Sequence, residues 1–156
     1  MKKALVIVIC FLMICFSFSC KSIRKIKDTN GPDDYSLSTI TDEDIVKGMS
    51  SISVGAIQSN KNGNFNLKIG KFSGVNEIYK NDFKNKTITL EITNKVESGN
   101  LKIVVIVNNE IVENIPANTT KTITTNVENG KYSIRIAGEV AKFSLSYKMQ
   151  IQYVDL

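Results

Sequence analysis

Few residues in this 156-residue chain are of a type that performs catalysis or binds metal. The sequence contains no His, which excludes Ser–His and Cys–His nucleophilic pairs and imidazole metal ligands. Its three Cys are too few for a disulfide framework or for a four-thiolate zinc site. Neither of the common Gly-rich phosphate-binding loops occurs. The sequence therefore predicts neither a metal nor an organic cofactor.

Carboxylates are the remaining groups that could hydrolyse a bond, because Asp and Glu need no His. Glycosidases hold two carboxyl groups about 5–9 Å apart in a cleft. Several acidic residues stand at polar positions of the strand pattern or in turns, namely Glu91, Glu110, Glu113, Glu128 and Glu139. Charged side chains at such positions are normally solvated. We expect a non-catalytic domain, with an envelope hydrolase that uses paired carboxylates as the alternative.

Tyrosines combine a flat apolar ring with a hydrogen-bonding hydroxyl, which suits contact with a sugar or a peptide. Tyr147 and Tyr153 fall on the apolar side of a predicted strand, so both are expected in the core. Tyr79 lies near Phe83 in a segment that is predicted to be a loop. Tyr79 is therefore the candidate ligand contact.

The amino-terminal segment determines where the chain is delivered. Lys2 and Lys3 precede an uncharged, mostly apolar run from Ala4 to Phe18. As a helix this run is about 22 Å long, which is short for a bilayer core of ~30 Å. A basic start, a short apolar centre and small residues after it are typical of a secretory signal peptide, here residues 1–19. An uncleaved single membrane span is the alternative.

The signal ends in Ser17-Phe18-Ser19-Cys20, which resembles the lipobox of bacterial lipoproteins. The resemblance implies that diacylglycerol is attached to the Cys20 thiol and that the chain is cleaved between Ser19 and Cys20. Phe72-Ser73-Gly74 and the segments 88–92, 98–103 and 130–134 are similar to small lipoproteins of low-GC Gram-positive bacteria. The resemblance thus implies a protein that carries palmitate-type chains at the extracytoplasmic face of the cell membrane.

The net charge of +5 is concentrated next to the predicted anchor. Four basic residues follow Cys20, namely Lys21, Arg24, Lys25 and Lys27. The rest of the chain, 28–156, has 14 basic and 15 acidic residues, so its net charge is −1. A nucleic-acid-binding domain needs a basic folded surface, which this composition excludes. The four cations either add ~1 kcal/mol each of attraction to an anionic leaflet or form a solvated linker.

Residues 20–44 are predicted to form a lipidated, basic and polar tether, and residues 45–156 to form the folded domain. The tether is rich in turn-forming residues and has no hydrophobic periodicity. Near its end, Thr41 and Asp44 have the spacing of a helix capping box. A short helix is therefore predicted over 42–49.

From Ser51 onward, apolar and polar residues alternate with the period of two that is typical of β-strands. The segment 101–107 is almost wholly apolar, which predicts a central strand covered on both sides. Turn-forming residues predict tight hairpins at Asn108-Asn109 and Asn129-Gly130, and loops at 60–64, 97–100 and 116–118. Strands are predicted at 51–57, 64–72, 86–93, 101–107, 110–115, 120–127, 131–137 and 142–153. The expected fold is an all-β antiparallel β-sandwich of about eight strands, immunoglobulin-like or jelly-roll-like.

These features together predict a cell-surface lipoprotein that is held in the lipid bilayer through a diacylglyceryl group on Cys20. The folded domain is expected to be a binding or structural module. Its expected partner is a protein or a cell-wall glycan, and not a nucleic acid.

Overall fold

The computed structural model describes residues 37–61 and 63–153. Several predicted features lie outside the described residues, namely the signal peptide and its cleavage site, Cys20, and the basic residues Lys21, Arg24, Lys25 and Lys27. The described part contains one short helix and five strands: α1 (Asp42–Lys47), β1 (Ser51–Val54), β2 (Ile57–Lys61), β3 (Asn64–Val107), β4 (Glu110–Ile115) and β5 (Thr120–Tyr153). Within these residues no helix has the length and apolar composition to cross a bilayer.

The long strands β3 and β5 pair antiparallel along two different registers, which arranges their segments in two layers. Layer A contains neighbouring segments in the order 57–61, 64–69, 143–153, 86–96 and 120–127. Layer B contains them in the order 51–54, 71–84, 129–138, 101–107 and 110–115. Inward side chains of both layers meet in one hydrophobic core. The fold is an antiparallel β-sandwich, which confirms the predicted all-β class.

Four residues with left-handed backbone mark points where a long strand passes from one layer to the other. They are Asn85 (φ 50°), Gly99 (φ 72°), Gly130 (φ 130°) and Val140 (φ 56°). At Gly99 a Cβ atom would collide with the backbone of Val140, so glycine is required there. The predicted loop at 97–100 and the predicted hairpin at Asn129-Gly130 are wrong, because both segments continue within β3 and β5.

Two further strand predictions need correction. The segment 51–57 is divided at Gly55 (φ 66°) into the separate strands β1 and β2. Residues 73–85, for which the sequence predicts no strand, belong to β3 and pair with β5. The remaining predicted strands are confirmed in position, although the structure joins several of them end to end through bends.

The β3–β4 hairpin agrees with its prediction in detail. Asn108 and Asn109 both have left-handed backbone, with φ of 50° and 68°, as a two-residue hairpin turn requires. The segment 101–107 that precedes this turn is covered on both sides. Ile103 and Val105 belong to the core between the layers, whereas Val104 and Ile106 belong to a second apolar cluster.

The helix α1 covers that second cluster, on the outer side of layer B. The predicted capping box is present: Asp44 N–H donates to the Thr41 hydroxyl, and Thr41 N–H donates to the Asp44 carboxylate. The helix ends at Lys47, earlier than the predicted residue 49. Ile45 is fully buried in the cluster, and Leu37 and Ile40 pack against it. Residues 37–44, which the sequence assigns to the tether, therefore contact the sheet.

Candidate ligand-binding groove

Tyr79 lies in β3 and not in a surface loop, so the proposed role as an exposed contact is not supported by its position. Its ring makes edge-to-face contacts with Tyr132 and Tyr147, at centroid distances of 6.3 and 6.4 Å. Tyr147 in turn stacks on Phe65 at 4.7 Å. Burial raises the pKa of Tyr147 to about 12, with a smaller contribution from Tyr79. Tyr79 is thus the partly buried edge of an aromatic cluster in the core.

The five carboxylates considered for hydrolysis lie at separate places. Register neighbours are Lys148 and Thr122 for Glu91, Val107 for Glu110, Val105 for Glu113 and Asn100 for Glu139, none of them acidic. Glu113 forms an ion pair with Lys121, at 2.7 Å, and Glu128 is exposed. Among the described residues, no group of three or more acidic or Cys side chains is arranged to hold a metal ion.

Glu139 has a structural partner, the segment 38–40 that precedes α1. Its carboxylate accepts hydrogen bonds from the backbone N–H and the hydroxyl of Ser38 (2.8–2.9 Å) and of Thr39 (2.6–2.7 Å), and from Ile40 N–H at 3.3 Å. Partial burial acts to raise the pKa of Glu139, but the donors of Ser38 and Thr39 outweigh it and lower the pKa to about 2. This carboxylate therefore fastens the chain to the sheet.

A groove of about 300 Å³ lies on the outer face of layer A. It crosses β2, both layer-A segments of β3 and the last segment of β5. Cross-strand neighbours fall into two rows, because residues that face each other in register share one side of a sheet. The polar side chains on its outward side are Ser59, Asn66, Lys68, Thr93, Lys95, Ser144 and Ser146.

The depth of the groove follows from side-chain size. Ser144 and Ser146 occupy the middle strand, and their short side chains leave its outward face low. Lys68 and Lys95 are the register neighbours of Ser144 on its two sides. Strands are spaced about 4.8 Å apart, so the two lysine Cα atoms are about 10 Å apart. Two long side chains therefore flank a floor of small hydroxyl residues, and Ile57 closes one end.

The groove has an excess of positive charge. Lys68 and Lys95 are exposed and form no ion pair with any residue in the described ranges. Glu97, the acid beside them, pairs with Lys142 at 2.6 Å. That contact lowers the pKa of Glu97 against the opposing effect of burial, and the charges of Lys68 and Lys95 lower it further. Two ammonium groups thus remain available to a ligand.

Sequence reasoning missed this groove, and its residues explain why. Its outward polar side chains stand at polar positions of alternating strands, where a solvated face is the normal interpretation. Ser59, Lys68, Lys95 and Ser144 are far apart in the chain. Only the register of β3 against β5 places Ser144 between two lysines. No local motif carries that information.

No protein-family model and no curated protein matches this sequence. Solved structures that are similar to part of it include two at 12% sequence identity. PfGH50B has a TM-score of 0.34 over 70% of this chain, and the chain spans only 23% of that structure's length. The carbohydrate-binding module CBM36 in complex with calcium and xylotriose has a TM-score of 0.29, covering 68% of this chain and 89% of the module. At such low TM-scores neither likeness bears on what this chain binds.

Proposed function

We propose that this chain is a lipoprotein of the extracytoplasmic membrane face, anchored through Cys20, whose β-sandwich binds an envelope partner in the groove on layer A. The observation that carries the binding role is the groove itself, in which Ser144 lies between Lys68 and Lys95, two lysines that form no ion pair within the described residues. A binding role requires a concave site with a few convergent polar groups, and this site supplies them.

The anchoring part of the proposal rests on the sequence of the first 27 residues. Each buried methylene contributes ~0.8 kcal/mol to membrane attachment, and a single acyl chain holds a protein only marginally. Two chains on one glycerol make the attachment lasting. Residues 21–36 separate Cys20 from the first described residue, and a chain of this length reaches at most ~60 Å. The folded domain would therefore act close to the membrane surface.

Metabolic labelling with palmitate tests the anchor in cells that express the full chain. Wild type is expected to incorporate label and to sediment with membranes, whereas Cys20→Ala loses both properties. Cys15→Ala is the matched control, because it removes another Cys of the same segment and leaves the lipobox-like Cys20 intact. Equal label in wild type and Cys20→Ala refutes lipidation at this residue, and an intact Met1 on the membrane-bound product points to a single span.

Obstruction of the groove tests the binding role separately. Ser144→Trp places an indole in the middle of the floor, whereas Thr124→Trp places one on an exposed position of the same layer that does not line the groove. Isolated envelope polysaccharide is expected to retain wild type and the Thr124 variant and to release the Ser144 variant. Circular dichroism checks that both variants keep the β-fold. Equal retention of the two variants rejects the groove as the binding site.

A further inference from the structure

The two lysines of the groove are placed so that both can contact one bound anion. Lys68 and Lys95 flank Ser144 on one face of the sheet, with no intervening acidic residue in that row. Their Cα atoms are about 10 Å apart across the strand of Ser144, so both flexible side chains can reach the space above this serine. An anionic group above Ser144 would lie within reach of both ammonium groups, and charge-assisted hydrogen bonds of this kind are the stronger ones.

The second row of the groove has a different chemistry. Ser59, Asn66, Ser146 and Thr93 follow one another across four neighbouring segments, since Asn66 pairs with both Ser59 and Ser146, and Ser146 pairs with Thr93. Hydroxyl and amide groups both donate and accept hydrogen bonds, so they match the hydroxyls of a sugar or a polyol. The row that contains Lys68 and Lys95 thus lies directly beside a row of hydroxyl and amide groups.

The charge around the groove does not cancel this preference. Glu97 is neutralised by Lys142, at 2.6 Å. Glu91, on the far side of the hydroxyl row, has Lys148 as its register neighbour. Positive charge is therefore left in the groove, while the domain as a whole is close to neutral. Attraction of an anion would be local to this site and would not arise from net charge.

We propose that the groove binds an anionic, hydroxyl-bearing polymer, that is, a sugar or polyol chain that carries phosphate or carboxylate groups. The anionic group lies over Ser144 between Lys68 and Lys95, and the hydroxyls of the chain contact the neighbouring row. This inference rests on the proposed binding role of the groove and adds the chemical class of its ligand.

Binding of defined polymers to the full chain, purified in mild detergent, tests the ligand class. The probes are polygalacturonate for carboxylate, poly(glycerol phosphate) for phosphate, and dextran as the neutral polymer. Calorimetry is expected to detect binding of at least one anionic polymer and none of dextran. The affinity is expected to fall as NaCl rises from about 0.05 M to about 0.3 M, because salt screens exposed charges. The anionic polymer that binds identifies which charged group the site prefers.

Matched charge variants distinguish the groove from diffuse attraction. The double variant Lys68→Gln/Lys95→Gln is expected to weaken binding about tenfold or more. The double variant Lys84→Gln/Lys131→Gln removes the same charge from exposed positions of layer B and is expected to change affinity less than about twofold. Equal weakening by both double variants overturns the inference, and so does binding of dextran as tight as that of the anionic polymers.

The Ser144→Trp variant separates the two proposals. If it abolishes binding while Lys68→Gln/Lys95→Gln has no effect, the groove remains the binding site and the anionic class is wrong. If neither variant alters binding, or if no polymer binds wild type, both the ligand class and the use of this groove are refuted. Loss of binding in both variants, with the layer B control intact, supports both.

Discussion

Replacement of Glu139 by Gln removes the charge that holds residues 38–40 against the sheet. The wild-type carboxylate accepts several short hydrogen bonds from Ser38 and Thr39. A Gln side chain keeps one acceptor oxygen but turns an NH₂ group toward these donors. We expect Glu139→Gln to lower the free energy of unfolding and to loosen the segment that precedes α1.

The size of the effect follows from the pKa of Glu139, which is lowered from its ordinary value of 4.5 to about 2. Such a difference corresponds to about 3 kcal/mol if it is expressed fully in folding. The carboxylate is only partly buried, so solvent screening reduces the contribution. Hydrogen bonds to a charged group contribute about 1.5–3 kcal/mol. We therefore expect a loss of about 1–2 kcal/mol at neutral pH.

The effect depends on pH with a defined sign. The pKa of Glu139 is lower in the folded state, so its stabilisation is complete above about pH 5 and declines as pH falls from 4.5 toward 2. The difference between wild type and Glu139→Gln is thus expected to be largest at neutral pH and to vanish near pH 2. Near pH 2 the wild-type carboxyl becomes protonated and loses its charge, whereas the Gln amide of the variant is neutral at every pH.

Urea unfolding followed by circular dichroism measures the free energies, and hydrogen exchange measures local protection. Amides of Ser38 and Thr39 are expected to exchange faster in Glu139→Gln than in wild type. Glu128→Gln is the control, since it removes one exposed negative charge elsewhere on the sheet. The reasoning is refuted if the two variants are equally stable at neutral pH, or if the loss in Glu139→Gln is the same at every pH.

Other contacts allow shorter predictions. Arg135 donates hydrogen bonds to backbone carbonyls at the end of α1 and forms an ion pair with Glu77 at 2.8 Å, so Arg135→Ala is expected to cost about 2–3 kcal/mol in urea unfolding. The Tyr132 hydroxyl is buried and has no hydrogen-bond partner within the described residues; Tyr132→Phe is therefore expected to leave stability unchanged or raise it by about 1 kcal/mol in thermal unfolding. Because burial raises the pKa of Tyr147 to about 12, stability is expected to be complete below pH 10 and to fall as pH rises toward 12, as alkaline titration would measure. Replacement of the four basic residues after Cys20 by Gln is expected to make membrane retention less sensitive to salt, and unchanged sensitivity would show that they form only a solvated linker.

Local sequence signals predicted those parts of the fold that depend on neighbouring residues. The capping box needs only Thr41 and Asp44, and the β3–β4 hairpin needs only two Asn residues. The strand 101–107 was recognisable as covered on both sides because its apolar run is continuous. Each of these features is determined over a span of a few residues, so a single sequence suffices.

The segment 73–85 shows why alternation alone is insufficient. Val75 belongs to the cluster under α1, whereas Phe83, also at an odd position, belongs to the core between the layers. The pairing register shifts between Glu77 and Tyr79, and this bulge exchanges the two faces of the strand. A period of two is therefore broken in the middle of a real strand. The sequence around Tyr79 therefore predicts a loop where the structure has a strand.

The bends within β3 and β5 cause the opposite error, because their residues are typical of turns and the sequence predicts that the strands end there. Gly99 and Gly130 are residues that usually end a strand, and the sequence placed a loop or a hairpin at each. In the structure a left-handed residue lets one strand cross between layers without ending. Whether such a residue reverses the chain or bends it depends on distant pairing partners. The groove was hidden for the same reason, because register is a property of the whole sheet.

The two outer faces of the sandwich have different chemistry, and this difference limits where a ligand can bind without rearrangement. On layer B the outward side chains Val104 and Ile106 are apolar, and α1 covers them. Glu139 holds the segment before that helix, so exposure of this face requires breaking its hydrogen bonds. The polar groove on layer A is accessible to a ligand while the domain stays fully folded. Loss of the Glu139 contact should therefore reduce stability while ligand affinity stays the same. Ser144→Trp should instead abolish ligand binding while stability stays the same.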